Sequence, residues 1–169
     1  MARFYTALLY LLTPLVVGRL LFRSWQIPGY RQRLGERFGL FPPLAAKETL
    51  WVHAVSVGEV QAAAPLLRAL TKRYPHLPLL VTTTTPTGAQ QLQNIFGDQV
   101  LHRYAPYDLP GAVKRFLQRT RPRLLVLVET ELWPNLICTC HQAGIPVVLA
   151  NARLSARSCL LYTSPSPRD

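Results

Sequence analysis

The sequence predicts a doubly wound α/β sheet of five parallel strands, preceded by an apolar amino-terminal segment. Five short runs of strand-forming apolar residues alternate with four stretches of helical periodicity. Parallel neighbours require crossover helices, so this alternation favours a parallel sheet with helices on both faces. The length of 169 residues suits about one domain, and the 49% of hydrophobic residues excludes a fully disordered chain.

The first half of the predicted sheet contains three strands. The first strand is Leu50–Val55, and the helix after it has an apolar face made of Val60, Ala63, Ala64, Leu67 and Leu70. The second strand is Leu79–Thr84. Thr85-Pro86 then predicts the N-cap and first residue of a helix that ends at Gly97. A weaker third strand lies near Val100–Tyr104.

The second half continues the alternation. Asp108 is predicted to cap a helix whose apolar residues are Ala112, Val113, Phe116 and Leu117. Leu124–Val128 is apolar on both faces, which is typical of a central parallel strand. Pro134 begins the next helix, Gly144 ends it, and Val147–Ala150 is the fifth strand.

The amino-terminal segment has the composition of a membrane anchor. Residues 4–18 carry no charge, and Arg19 and Arg23 are the first charges after them. A span needs about 20 apolar residues, so the length is borderline, and no small-residue cleavage site follows as in a signal peptide. Basic and aromatic residues come next, as at a membrane interface. We therefore predict an anchor at 1–23 and a basic juxtamembrane segment at 24–49; the alternative is a buried amino-terminal helix.

The charge balance predicts an anionic partner. The chain has 19 basic residues, of which 16 are arginine, against 8 acidic residues, for a net charge of +11. Phosphate groups, nucleic acid and an acidic membrane surface are the candidates. The arginines are spread along the chain without a nucleic-acid motif, so nucleic acid is not predicted as a partner. Three cysteines without framework spacing indicate a reducing compartment.

Polar residues follow each predicted strand. In an open α/β sheet, ligands bind outside the carboxyl ends of the strands. Because the strands are parallel, these residues are expected along one edge of the sheet. They are Ser56–Glu59, Thr82–Gly88, Tyr107-Asp108, Glu129–Glu131, and Asn151 with Arg153.

Two glutamates at this edge are candidates for chemistry, and each has a structural alternative. Glu59 could act as a base, but Ser56-x-x-Glu59 at a helix start also matches a capping box. Glu129 directly follows a buried strand, which makes it a candidate base or charge stabiliser. Its alternative is a carboxylate held by helix N-terminal amides or by Arg153.

The remaining patterns predict no cofactor site. Cys138-x-Cys140-His141 resembles a metal tract, but residues two apart on a helix do not share a face, so no metal is predicted. No Gly-x-Gly-x-x-Gly fingerprint of dinucleotide binding occurs. His53 is predicted to pack within the first strand.

Six ordered motifs resemble the amino-terminal half of bacterial Kdo (3-deoxy-D-manno-octulosonic acid) transferases. They are Arg33–Gly39, His53–Glu59, Thr83–Gly88, Tyr107–Pro110, Glu129–Asn135 and Ala150–Ser155. The likeness covers essentially residues 5–158. It implies a Rossmann-like acceptor-binding domain at 50–158, the amino-terminal domain of a GT-B glycosyltransferase, and a non-family tail at 159–169.

The resemblance also implies an activity. Such an enzyme moves Kdo from CMP-Kdo onto the lipid A precursor, lipid IVA, in lipopolysaccharide core biosynthesis, and works at the cytoplasmic face of the bacterial inner membrane. By resemblance, Glu59 is the proton acceptor and Glu129 stabilises the transition state of an inverting transfer that uses no cofactor and no metal. The implied acceptor-binding residues are Ser56, Gly58, Thr85, Glu131, Asn151 and Arg153.

The implied partners are the lipid A precursor and the membrane surface, while the oligomeric state stays open. By resemblance, the donor CMP-Kdo binds mainly to a carboxyl-terminal domain that we expect this chain to lack. The 169 residues alone are therefore expected not to transfer Kdo. The alternative function is a non-enzymatic membrane-surface module that binds phosphorylated lipid through its arginines.

Overall fold

The computed structural model describes residues 2–25, 29, 33–129 and 131–151. Within them five parallel strands form one sheet in the order β3-β2-β1-β4-β5. The strands are β1 (Thr49–His53), β2 (Leu79–Thr83), β3 (Leu101–Tyr104), β4 (Pro122–Val128) and β5 (Val147–Ala150). The helices are α1 (Ala2–Arg23), α2 (Val57–Arg73), α3 (Pro86–Phe96), α4 (Pro110–Thr120) and α5 (Pro134–Gln142). The predicted doubly wound α/β, Rossmann-like fold is confirmed.

The two faces of the sheet bury separate cores because side chains alternate along each strand. On one face, Val52 joins the apolar side chains of α2 and α3 in a single buried cluster. On the other face, Trp51 joins those of α4 and α5. Strands β1 and β4 contribute to both clusters, which explains why Leu124–Val128 reads as continuously apolar.

Two of the three predicted N-cap residues cap their helices, and the third does not. Ser56 and Thr85 are the N-caps of α2 and α3, and each side chain accepts a hydrogen bond from a first-turn amide. The prediction that Asp108 caps the following helix is wrong. The N-cap of α4 is Leu109, which has no capping side chain, and the Asp108 carboxylate binds α5 instead.

Helix α1 contains Pro14 and lies outside both cores. In the part of the chain that the structure describes, Phe4–Arg23 is the one helix long and apolar enough to cross a membrane, and none of that stretch is buried. Phe4 and Phe22 are about three-quarters exposed, at 78% and 74%. The alternative of a buried amino-terminal helix is therefore wrong.

The segment before β1 is integrated into the sheet domain. A 3₁₀ turn at Leu34–Phe38 buries Glu36 and Arg37 against β3 and α4. Gly39 then comes so close to α4 that a Cβ there would lie 2.7 Å from the Ala112 carbonyl oxygen. Its φ of +69° favours glycine for the same position. The second half of the predicted juxtamembrane segment thus belongs to the fold.

Candidate functional site

Three glutamates meet at the carboxyl edge of β1 and β4. The two strands are parallel neighbours, with His53 paired to Leu127, so the residues that follow each strand emerge on the same side. Glu59 lies in the first turn of α2, Glu129 directly follows β4, and Glu131 is two residues further. The negative charges of Glu131 and Glu129 both act on the Glu59 carboxyl group. We call this group of three glutamates the acidic rim.

Glu59 forms half of the predicted capping box: its amide binds the Ser56 side chain, but its carboxylate binds the Val55 amide instead of the Ser56 amide. Its Oε2 accepts a hydrogen bond from the Val55 amide at 2.7 Å, and its Oε1 accepts one from the Ser56 hydroxyl at 3.0 Å. Its own amide donates to Ser56 Oγ at 3.4 Å. The carboxyl group is therefore fixed in place at the start of α2, which serves the helix and also holds the group in one orientation.

The environment of Glu59 raises its pKa. Burial is the largest cause, because it disfavours the charged form, and the charges of Glu131 and Glu129 act in the same direction. The hydrogen bonds from Val55 and Ser56 oppose the shift without cancelling it. A carboxylate with a raised pKa is a stronger proton acceptor than an ordinary one. The rim thus supplies the chemistry of a general base.

Glu129 is held in an unusual backbone conformation. Its φ is +61°, in the left-handed region that non-glycine residues rarely adopt, and its amide donates to the Ala150 carbonyl at 2.9 Å. Such strain costs about 1–3 kcal/mol and is concentrated at functional sites. Among the described residues, the Glu129 side chain has no hydrogen bond or ion pair. The first-turn amides of α5 bind Asp108 rather than Glu129, so the helix-amide alternative is wrong, whereas the alternative of a pair with Arg153 lies outside the described residues.

Trp133, which sequence reasoning did not single out, orients Glu131. Its indole N–H donates to Glu131 Oε2 at 2.8 Å, and its ring packs edge-on against His53 with the centroids 4.9 Å apart. His53 is fully buried in β1, as predicted, and burial lowers its pKa to about 4. A neutral imidazole therefore supports the tryptophan that fixes the third rim carboxylate.

Asp108 joins α1 to the rim, which was also not predicted. Its Oδ1 accepts from the Leu136 amide at 2.7 Å, and its Oδ2 accepts from the Asn135 amide at 3.1 Å and from the Tyr5 hydroxyl at 2.8 Å. Burial and the Asp108 carboxylate raise the pKa of Tyr5 to about 12. Thr6 adds a hydrogen bond to Asn135 Oδ1 at 2.9 Å. The apolar helix is therefore docked beside the segment that carries Glu131.

The other predicted site residues differ in their surroundings. Thr85 caps α3, whose Gly88 packs close to the Ser56 backbone. Gly58 faces open space, since a Cβ there would have no heavy atom within 4 Å. Asn151 is exposed with a φ of +55°, and Arg153 lies outside the described residues, as do residues 159–169.

The two described cysteines, Cys138 and Cys140, belong to no candidate metal site. Within residues 2–25, 29, 33–129 and 131–151, no group of three or more His, Cys, Asp or Glu side chains could hold a metal ion. Cys138 is exposed on α5, whereas Cys140 is buried in the core and burial raises its pKa to about 12.

Comparison with known protein families matches residues 32–166 to the 3-deoxy-D-manno-octulosonic-acid transferase (kdotransferase) family. The chain belongs to the kdotransferase family. The match reaches beyond residue 158, where the motif resemblance ended. The parallel sheet fits the amino-terminal domain of a GT-B glycosyltransferase. Four of the six family motifs lie at or just after the ends of β1 to β4, at its carboxyl edge, and the described start of a fifth, Ala150-Asn151, lies at the end of β5.

Curated relatives of this kdotransferase chain come from bacteria and a plant. It is 48% identical to the 3-deoxy-D-manno-octulosonic acid transferase of Haemophilus influenzae over 94% of this chain and 38% of the relative. Identity to the Bordetella pertussis transferase is 47%, over 69% of this chain and 27% of the relative. A probable mitochondrial 3-deoxy-D-manno-octulosonic acid transferase of Arabidopsis thaliana is 38% identical, over 96% of this chain and 37% of the relative. The chain thus spans at most 38% of these relatives and corresponds to an amino-terminal part.

Proposed function

We propose that this kdotransferase chain provides the acceptor half of a transferase that moves Kdo from CMP-Kdo onto the lipid A precursor, lipid IVA, in lipopolysaccharide core biosynthesis. The observation that carries the proposal is the fixed Glu59 carboxyl group with a raised pKa, beside Glu129 and Glu131. The relatives, named 3-deoxy-D-manno-octulosonic acid transferases, supply the identity of the sugar.

In the proposed reaction, Glu59 accepts the proton of the acceptor hydroxyl as its oxygen attacks the anomeric carbon of Kdo. A carbon–oxygen bond forms on one face of the sugar while the bond to CMP breaks on the other, so the anomeric centre inverts. General-base catalysis of this kind typically contributes about 10²–10⁴-fold. The hydrogen bonds from Val55 and Ser56 hold the carboxylate in position for the proton transfer.

Glu129 is proposed to stabilise the transition state. Positive charge develops on the sugar ring as the bond to CMP breaks, and a preorganised carboxylate nearby offsets it. Two features support this role: the strained backbone of Glu129 and the lack of a partner for its side chain among the described residues.

The acceptor is proposed to contact Ser56, Gly58, Thr85, Glu131, Asn151 and Arg153, the last of which lies outside the described residues. The open space in front of Gly58 suits a ligand that approaches the first turn of α2. The donor CMP-Kdo would bind mainly to a carboxyl-terminal part, which the greater length of the relatives accommodates. No metal or other cofactor takes part, and the present chain alone would not complete the transfer.

The site is proposed to work at the cytoplasmic face of the bacterial inner membrane. The unburied apolar stretch of α1 supports an anchor, and the Tyr5–Asp108 hydrogen bond supports a position of that helix near the rim. A lipid acceptor remains embedded in the bilayer, so an enzyme held at the surface meets it directly.

A chimera that joins residues 1–158 to the carboxyl-terminal part of the Haemophilus influenzae relative tests the proposal. Glu59→Gln should lower Kdo transfer to lipid IVA by at least about 10²-fold, because the amide cannot accept the proton. The amide oxygen still accepts a hydrogen bond, so the melting temperature should change little. Glu48→Gln, at an exposed ion pair with Arg123, is the matched control and should keep full activity.

The opposite pattern would refute the assignment. If Glu59→Gln lowers the melting temperature while transfer continues at the parent rate, Glu59 serves only the helix cap. If the parent chimera folds and binds lipid vesicles but transfers no Kdo, the non-enzymatic lipid-binding module becomes the better description.

A further inference from the structure

A cavity lies away from the acidic rim, between α3 and the edge strand β3. It is open to solvent and has a volume of about 580 Å³. Its polar lining consists of Arg33, Gln90, Gln93, Asp98, His102 and Arg103. None of these residues belongs to the proposed transfer chemistry.

Positive charge predominates around this cavity. Arg33 binds Glu36 at 2.8 Å, and Arg103 Nε lies 3.6 Å from the other oxygen of the same carboxylate. Arg37 stacks on the Tyr104 ring behind them, at 4.4 Å from its centroid. Two guanidinium groups therefore face one carboxylate, and a third stacks on the neighbouring Tyr104 ring.

Asp98 is the one acidic side chain that lines the cavity among the described residues. It precedes the first residue of β3, whereas Arg103 is next to the last. The length of the strand thus separates Asp98 from the arginine end of the cavity.

Arg103 has donors to offer a ligand. Its Nη1 donates to the His102 carbonyl at 2.8 Å. Its Nε is buried and faces Glu36 at 3.6 Å, so it is not open to a ligand, whereas its Nη2 makes no hydrogen bond among the described residues. The Arg103 side chain keeps 28% of its surface exposed, so an anion can reach it.

His102 holds Arg33 in place without adding charge. An arginine can only donate, so the contact of 3.1 Å between Arg33 Nη1 and His102 Nδ1 requires Nδ1 to be the acceptor. Nε2 then carries the proton and donates to Thr83 Oγ1 at 3.0 Å. Burial, followed by the charges of Arg33, Arg103 and Arg37, lowers the pKa of His102 to about 3. The ring is therefore neutral at physiological pH.

We propose that Arg33 and Arg103 form a binding site for a phosphate group at the β3 edge of the sheet. Guanidinium groups match the oxygen geometry of phosphate with paired hydrogen bonds. The side-chain amides of Gln90 and Gln93 on α3 supply further donors. The phosphate is either free or carried by a lipid, and the site does not depend on the transfer reaction.

Nuclear magnetic resonance of the arginine Nε–H groups tests the site. The isotope-labelled 169-residue chain in phosphatidylcholine nanodiscs is titrated with inorganic phosphate. The Arg33 and Arg103 signals should shift and saturate, because the anion binds their guanidinium groups. Arg103→Gln should weaken binding by about tenfold or more, as expected for the loss of a charge-assisted hydrogen bond. Arg123→Gln, at the exposed pair with Glu48, is the control and should leave the affinity unchanged.

A second arm identifies the source of the phosphate. Nanodiscs that contain phosphatidic acid should reproduce the shifts and weaken the response to inorganic phosphate if the ligand is carried by a lipid. Saturation by inorganic phosphate alone supports a free phosphate. Both results support the site.

The proposal is overturned if neither phosphate source gives saturable shifts at Arg33 and Arg103. It is also overturned if Arg103→Gln binds as tightly as the parent. If the His102 ring signals show that Arg103→Gln disturbs the local fold, Arg103→Lys takes its place. Lysine keeps the charge but loses the paired geometry, so an affinity equal to that of the parent would again overturn the site.

Discussion

The acidic rim and the β3 edge show the same physics with opposite sign. At the rim, burial and neighbouring carboxylates raise the pKa of Glu59. At the β3 edge, burial and neighbouring guanidinium groups lower the pKa of His102 to about 3. In both places the low local dielectric and the like charges favour the neutral form of the central group. The net charge of +11 therefore says little about either site, because the fold gathers acidic side chains after β1 and β4 and arginines at β3.

The two regions differ in how they use a carboxylate. Glu36 at the β3 edge is buried and bound by Arg33, and its Oε2 also accepts the Tyr104 amide at 2.9 Å. It therefore holds the structure together. The rim carboxylates crowd one another, and those of Glu59 and Glu131 are each held by neutral hydrogen-bond donors. No opposite charge among the described residues offsets their mutual repulsion, unlike at the β3 edge.

Replacing one carboxylate in each region should give the largest difference in the free energy of unfolding. Glu36→Gln leaves the arginines around it without their counter-charge and should lower the free energy of unfolding by about 3 kcal/mol. Glu131→Gln relieves repulsion at the rim and keeps an oxygen for the Trp133 indole, so its change should stay within about 0.5 kcal/mol. Urea unfolding in detergent micelles measures both. Equal losses in the two variants would contradict the distinction.

The pH dependence of stability should have opposite slopes in the two regions, each at most about 1.4 kcal/mol per pH unit for one group. The folded state holds the Glu59 proton above the ordinary pKa of 4.5, so the stability contribution of Glu59 falls as the pH rises from there through its raised pKa. In the folded state His102 stays neutral down to about pH 3, whereas in the unfolded chain it takes up a proton below its ordinary pKa of 6.5. Its contribution to stability therefore falls as the pH drops from 6.5 to about 3.

Stability differences between the parent and single variants isolate these two slopes. The difference between the parent and Glu59→Gln should shrink with rising pH, and that between the parent and His102→Gln should shrink with falling pH. Slopes of the same sign would show that one of the two environments is misassigned.

Glycine substitution at two of the four described non-glycine positions with positive φ, one in each region, should change stability least and with opposite signs. Glu129→Gly relieves left-handed strain and should stabilise the chain by about 1 kcal/mol, while the chimera loses Kdo transfer. Arg33→Gly, at a φ of +57°, should destabilise instead, because the side chain binds Glu36 and His102. Thermal melting of both variants checks this. A stabilising Arg33→Gly would mean that its ion pair contributes less than the backbone strain.

Local chemistry made much of the fold predictable. The apolar runs predicted all five strands to within two residues, since a buried parallel strand has few polar positions. Thr85-Pro86 predicted the start of α3 because both residues act on their own helix. The side of the sheet on which Glu59 and Glu129 emerge followed from chain order alone.

The missed features depend on contacts between distant residues. Asp108 has the composition of a cap, but nothing local states that it binds α5, about 27 residues later, rather than α4. The contact of Trp133 with His53 and the burial of Glu36 beneath β3 likewise join distant parts of the chain. Such pairings form only once the sheet order is set.

The Tyr5–Asp108 hydrogen bond connects the apolar helix α1 rigidly to the structure that supports the acidic rim. Asp108 also holds the first turn of α5, so Tyr5, Asp108 and α5 form one continuous support. Rotation of α1 about its own axis would break that bond and the one from Thr6 to Asn135. If α1 inserts into a bilayer as proposed, its depth and tilt set the height of the three glutamates above the membrane surface, because the connection between them is rigid.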